Sequence, residues 1–171
     1  MKISAALNLK MMMNEFLPIG EELLQLIEAW ETKLLALPED IITNRQNSQK
    51  RTIRQIVGHM VDSASNNTHR IVHLQYQTSP FAYPNYASYG NNDRWIVIQH
   101  YQEEEWVNLV QLWKYSNIHV VHVMQHINPE KLENEWIADT NKTITLKAMV
   151  IDYLRHFKLH MDEISALINL H

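Results

Sequence analysis

No cysteine occurs among the 171 residues of the chain. Disulfides, thiolate metal ligands and a cysteine nucleophile are therefore excluded, and a reactive thiol could only arrive from outside. Glycine and proline are scarce, at three and five. That scarcity argues against a turn-rich β fold and for long helices built from the common Leu, Ile, Met, Gln and Glu. There is no glycine-rich phosphate loop, so nucleotide binding by that route has no support. Lys and Arg never cluster, and the formal net charge is −4, which gives no footing for a nucleic-acid surface. Apolar runs are short as well. Met1 to Leu9 is mildly apolar, but Lys10 interrupts it before a signal peptide or membrane span could form. The expectation is a cytoplasmic protein whose partner is a small molecule, with no nucleic acid and no membrane. Met11-Met12-Met13 suggests a start within that run. Residues 1–14 then read as a disordered leader and residues 15–171 as one domain.

The abundant helix formers fall into four long periodic segments. Leu23, Leu26, Ile27, Trp30, Leu34 and Leu37 mark a first helix from Pro18 to Leu37, stopped by Pro38. A polar connection, Glu39 to Lys50, follows. A second helix starts at Thr52, a good N-cap, and runs to about Gln77 on the stripe Ile53, Ile56, Met60, Ala64, Ile71 and Leu74. Residues 79–86 hold two prolines and three aromatics, an aromatic loop expected to pack over something. A short extra helix, Asp93 to His100, precedes a third long helix from Glu103 to Ile127, whose stripe includes Trp106, Leu109, Trp113, Val120 and Met124. Residues 130–143 read as loop. Thr145 caps a fourth helix that runs to about Asn169. Four such helices, each with one apolar face, predict an all-α antiparallel four-helix bundle.

The chain has ten histidines, and helical phase sorts them. At about 100° per residue, His156 and His160 fall at the centre of the arc formed by Leu146, Met149, Tyr153, Ile164 and Leu167, so the pair points into the bundle. His119, His122 and His126 lie opposite their stripe and read as a solvent face. His69 and His73 sit beyond the edge of theirs. His59 stands beside Ile56 and Met60 and opens a seam of Ser63, Asn66 and Arg70, a polar line beside a core stripe that suits a helix lining an internal pocket. Gly58 is unfavourable inside a helix, and either a close backbone approach beside His59 or a tolerated defect would explain it.

His59, His156 and His160 together would supply three neutral nitrogens to one metal and leave a position open, the pattern of a catalytic site. Imidazole suits zinc, nickel or copper, with iron also open. Hydrogen-bonded core histidines without metal are the competing reading. Asp62 and Glu163, each three residues after a candidate ligand, could orient an imidazole or act as a base, though plain surface carboxylates would look the same. Tyr153, one turn before His156, could line the site or simply pack. Ordinary imidazole titration predicts that metal affinity falls below about pH 6 to 6.5. His-Glu-x-x-His and Glu-x-x-His are both absent, against a zincin protease and a carboxylate di-iron bundle.

The stretch Thr52-Ile53-Arg54-Gln55-Ile56-Val57-Gly58-His59-Met60-Val61-Asp62 resembles the second-helix signature of the DinB-like proteins, the damage-inducible four-helix proteins. Arg155-His156-Phe157-Lys158-Leu159-His160 resembles their fourth-helix His-x-x-x-His, and the order of the two motifs matches. The resemblance spans most of the chain. It implies a four-helix bundle holding a divalent metal, often nickel or zinc, on His59, His156 and His160. It also implies kinship with bacillithiol S-transferases and mycothiol-dependent maleylpyruvate isomerases, in which the metal activates a low-molecular-weight thiol. Other relatives are assigned only as metal-dependent hydrolases.

The function expected is metal-assisted attack of a small thiol, as a cosubstrate, or of water on a small electrophile. Asp62, Asn66, Arg70 and Tyr153 are the further site candidates, with Arg70 or Asn66 contacting an anionic group. The alternative is a non-catalytic metal- or ligand-binding stress protein, marked by a filled coordination sphere. A plain helical interaction domain is the third reading. A homodimer covering the aromatic loop and Trp136 is compatible with each.

Overall fold

The computed structural model describes residues 15–170. The leader expected over residues 1–14 lies outside them, as does His171. α1, Leu17–Leu35, carries Pro18 in its first turn, where a missing N–H costs nothing. α2, Glu39–Asn44, replaces part of the expected polar connection. Its acidic first turn suits the positive end of a helix, and Ile42 anchors it in the core. α3, Ile53–Tyr76, opens on a capping box: the Thr52 hydroxyl accepts from the Gln55 N–H while the Gln55 side chain accepts from the Thr52 N–H.

The aromatic loop contains a short strand, β1, Phe81–Ala82. α4, Asn91–Ile98, is the short extra helix. α5, Trp106–Gln125, begins later than expected because Glu105, not Glu103, supplies the cap. The segment expected as loop forms a hairpin of β2, Glu135–Asp139, and β3, Lys142–Thr145. β1 pairs parallel with β2, placing Phe81 opposite Trp136. β2 pairs antiparallel with β3, placing Trp136 opposite Ile144. Strands this short carry too few alternations for periodicity to reveal them. α6, Leu146–Ile168, follows at once, with Thr145 accepting from the Ala148 N–H.

Contacts at the helix ends fix the directions. Gly20 lies against Val121 and Gln125, while the Trp106 indole donates to the Leu34 carbonyl, so α1 and α5 are antiparallel. His59 meets His160, whereas Arg70, late in α3, shares a cavity with Ala148 and Met149, so α3 and α6 are antiparallel too. Arg54 donates to the Glu104 carbonyl at one end and Gln75 accepts from the Asn128 N–H at the other. α3 and α5 therefore run parallel. Lys147–Glu15 and Lys158–Glu22 ion pairs likewise put α6 parallel to α1. The all-α four-helix bundle is present, and each helix has one antiparallel and one parallel neighbour. Residues 77–105 make the parallel step possible by returning along the bundle.

Trp113 stacks on Phe157 in the middle of the core, and the residues expected on the four stripes are buried around them, except Leu26 and Leu37, which are partly buried against it. The aromatic loop does pack over something, since Tyr86 is buried. Trp136 is covered within the chain as well, so neither needs a second copy to shield it. No helix among the described residues is long and apolar enough to cross a membrane.

Candidate metal centre

The phase of α6 brings His156 and His160 to its inner face, with ring centroids 4.4 Å apart and planes perpendicular. His59, on the second turn of α3, completes the cluster at 4.8 Å from His160 and 5.7 Å from His156. One ring nitrogen from each lies within 4.8 Å of the others. The Nε2 atoms of His156 and His160 are 3.1 Å apart. Two nitrogens bound to one ion at 2.0–2.1 Å stand roughly 2.8–3.4 Å apart in octahedral or tetrahedral order, so this spacing fits a shared metal.

The outer nitrogens are also spoken for. His160 Nδ1 donates to Glu163 Oε2 at 2.8 Å, which directs Nε2 to the cluster. His59 Nδ1 is 2.5 Å from the Tyr86 hydroxyl, leaving its Nε2 facing the other two rings. Such outer partners fix tautomer and ring orientation in histidine metal sites. Glu163 therefore does orient an imidazole, and the hydrogen bond from His160 holds its carboxyl below the ordinary range. Tyr86 is a partner that spacing did not suggest. It lies 27 residues from His59, and only the aromatic richness of its loop hinted that the loop covers something.

Burial keeps His59 and His156 neutral. Desolvation, reinforced by repulsion from His160, pushes His59 down to about 2 and His156 down to about 4. Proton competition for these two ligands thus begins well below the pH 6 to 6.5 expected from ordinary imidazoles. The stability consequence has a definite sign. An unfolded chain takes up these protons near pH 6.5 and the native state does not. The contribution is present above pH 6.5 and is lost as pH falls toward 4, at about 1.4 kcal/mol per pH unit for each ring. Asp62, with its carboxyl raised by burial, acts in the opposite sense. Urea midpoints of metal-free protein should therefore drop between pH 6.5 and 4.5, and His59→Gln with His156→Gln should flatten the slope. An equal slope in the double variant would refute the shifts.

Asp62 is not a surface carboxylate. It is buried, and Oδ1 accepts from the Tyr101 hydroxyl at 2.7 Å and from Gln99 Nε2 at 2.6 Å. The Tyr86 hydroxyl faces it too. Asp62 thus stands behind the histidine cluster, linked to His59 through Tyr86. Asn66 is buried but donates to the Asp62 carbonyl within its own helix. Tyr153 forms part of a cavity wall, and its hydroxyl donates to Asn117 in the core at 2.7 Å. Tyr153 thus packs and lines the cavity at once, whereas Asn66 is not among the lining residues. Arg70 lines the cavity. His119, His122 and His126 are exposed, as their phase predicts.

The cavity, about 670 Å³, lies between α3, α6, the hairpin and the aromatic loop, and has His59 and His156 in its wall. Fold and cluster together define a four-helix bundle in which three histidines that could hold a metal ion stand beside a ligand-sized cavity. The same fold is found in YfiT from Bacillus subtilis, described as a probable metal-dependent hydrolase with an unusual four-helix bundle topology. The match has a TM-score of 0.71 at 18% sequence identity and covers 86% of this chain and 85% of that one. No family model matches the sequence, and a sequence comparison with curated proteins finds no match.

Proposed function

We propose that the protein is a metal-dependent enzyme in which His59, His156 and His160 hold one divalent ion, zinc or nickel. The reaction is attack of a small thiol or of water on a small electrophile held in the cavity. One observation carries this reading: the three imidazoles converge without a fourth His, Asp or Glu ligand among the described residues, and two of them border the cavity. A filled sphere would have favoured a storage or sensing role. When bound, the ion lowers the pKa of a coordinated thiol or water and polarises the group under attack. Tyr86 and Glu163 keep the ligand rings in the binding tautomer, and the walls formed by Trp136 and Tyr153 restrict water. The metal-dependent hydrolase named for the matching fold is consistent with the water branch, and the motif resemblance with the thiol branch.

The test is turnover by zinc- and nickel-loaded protein. Conjugation of monochlorobimane to a low-molecular-weight thiol reads the thiol branch, and p-nitrophenyl acetate cleavage the water branch. Metal-dependent turnover abolished in His156→Ala supports the proposal, and the active substrate selects the branch. A loaded protein inactive in both assays would replace it with a non-catalytic binding protein.

A further inference from the structure

Three arginines are buried in the described structure: Arg51, Arg54 and Arg70. Two have carboxylate partners, Arg51 with Asp93 at 2.5 Å and Arg54 with Glu39 at 2.7 Å. Arg70 has none. It is 6% exposed, and its Nε and Nη2 are buried without an acceptor. Its guanidinium is held by rings instead, 4.2 Å from the centroid of Trp136 and 5.6 Å from that of Tyr83. The Trp136 indole N–H is also buried without an acceptor. A planar cation with several free donors, beside another free donor, matches the geometry of a carboxylate. A buried, unpaired charge is costly, and the cost is understandable where a ligand supplies the missing partner.

Position ties this group to the metal centre. Arg70 follows His59 by 11 residues, about 16 Å along a helix and nearly the same phase. His59, Ser63, Asn67 and Arg70 all line the one cavity. Long helical side chains lean toward the N-terminus, so the guanidinium and the imidazoles are separated by on the order of 10 Å. The remaining charges at the cavity compensate one another: Arg155 pairs with Asp152 at 2.6 Å, and Lys142 lies near Asp139. Apart from the histidine cluster, one positive charge, Arg70, is left over at its end of the cavity, which suits a monoanion there better than a dianionic phosphate.

We propose that Arg70 and Trp136 form a carboxylate-recognition subsite, and that the cavity takes an elongated small molecule whose reacting end lies at the histidines and whose carboxylate lies at Arg70. The second half rests on the metal-centre reading; the first does not. Arg70 is thus a binding residue that sets specificity.

The subsite is tested on metal-free, full-length protein by following the Arg70 Nε–H and Trp136 Nε1–H resonances. Hexanoate is titrated, with hexanol as the neutral control. Hexanoate should move both resonances and hexanol neither. Arg70→Met should weaken hexanoate binding about tenfold to a hundredfold, the effect of a charged hydrogen bond, with no loss of thermal stability. Trp136→Phe, which keeps the ring, should give a smaller loss. Equal responses to acid and alcohol, or unchanged affinity in Arg70→Met, would overturn the subsite while leaving the metal centre standing. The span is read on zinc-loaded protein, where 6-mercaptohexanoate should bind at least tenfold more tightly than hexanoate or 6-mercaptohexanol. Should it gain nothing over hexanoate although zinc is bound, one molecule does not reach both ends. Failure to bind zinc at all would remove the metal reading and leave the metal-free titration to decide the subsite.

Discussion

Replacing His160 with alanine is expected to strip the protein of bound divalent metal. Wild type, purified without a histidine tag, should carry or accept about one equivalent of zinc or nickel by elemental mass spectrometry. Loss of an outer-sphere partner typically weakens metal affinity 10- to 100-fold, and loss of one of three direct ligands should exceed about 100-fold. His59→Ala and His156→Ala should behave alike, because their nitrogens belong to the same cluster. His122→Ala is the control. His122 is part of another i,i+4 histidine pair, but it is exposed on the outer face of α5. A wild-type protein that cannot be loaded with either metal would refute the triad, as would retention of metal in all three ligand variants.

That contrast between equal spacings shows what could be read in the sequence. His156–His160 and His122–His126 have the same separation, and only the phase of the neighbouring apolar residues distinguishes them. The stripe on α6 is strong enough to place the first pair inward. The polar seam on α3 likewise points His59 and Arg70 to one side. Local patterns carried these assignments because helix geometry converts spacing directly into direction.

The remainder of the site depends on chain segments whose positions no local pattern fixes. Asp62 looks like a surface carboxylate from the stripe of α3 alone. It is buried because Tyr101 and Gln99, from the connection between α4 and α5, fold over it. Tyr86 reaches His59 from a loop that β1 and Asn85 tie to β2 and that Trp95 packs against. Trp136 meets Arg70 because the hairpin turns β2 toward the cavity. The helices therefore supply the three histidines, Glu163 and Arg70, and the irregular segments supply Tyr86 behind His59 and Trp136 beside Arg70. Substrate differences between proteins of this fold should accordingly follow the loop and hairpin more than the bundle.

Gly58→Ala is the substitution expected to damage stability most for its size. By helix propensity alone it should stabilise α3 by about 1 kcal/mol. A Cβ at Gly58, however, would fall on the ring of Tyr101, at Cγ and Cδ2. That ring is buried, and its hydroxyl anchors Asp62, so it cannot swing away without breaking a buried hydrogen bond. Overpacking of this kind costs about 1–3 kcal/mol or more, and disturbing the Asp62 contact adds about 1–3 kcal/mol. The net loss should be about 1–5 kcal/mol after the propensity gain, a fall in Tm of roughly 3–14 °C for a domain of this size. Gly20→Ala provides the comparison. Its Cβ would meet only the Val121 and Gln125 side chains, at 3.1 and 3.3 Å, which can shift, so its Tm should change little. In a Tyr101→Ala background the obstacle is gone, and Gly58→Ala should become stabilising by the propensity difference. A Tm for Gly58→Ala at or above wild type would show that the close approach of Tyr101 does not explain the glycine.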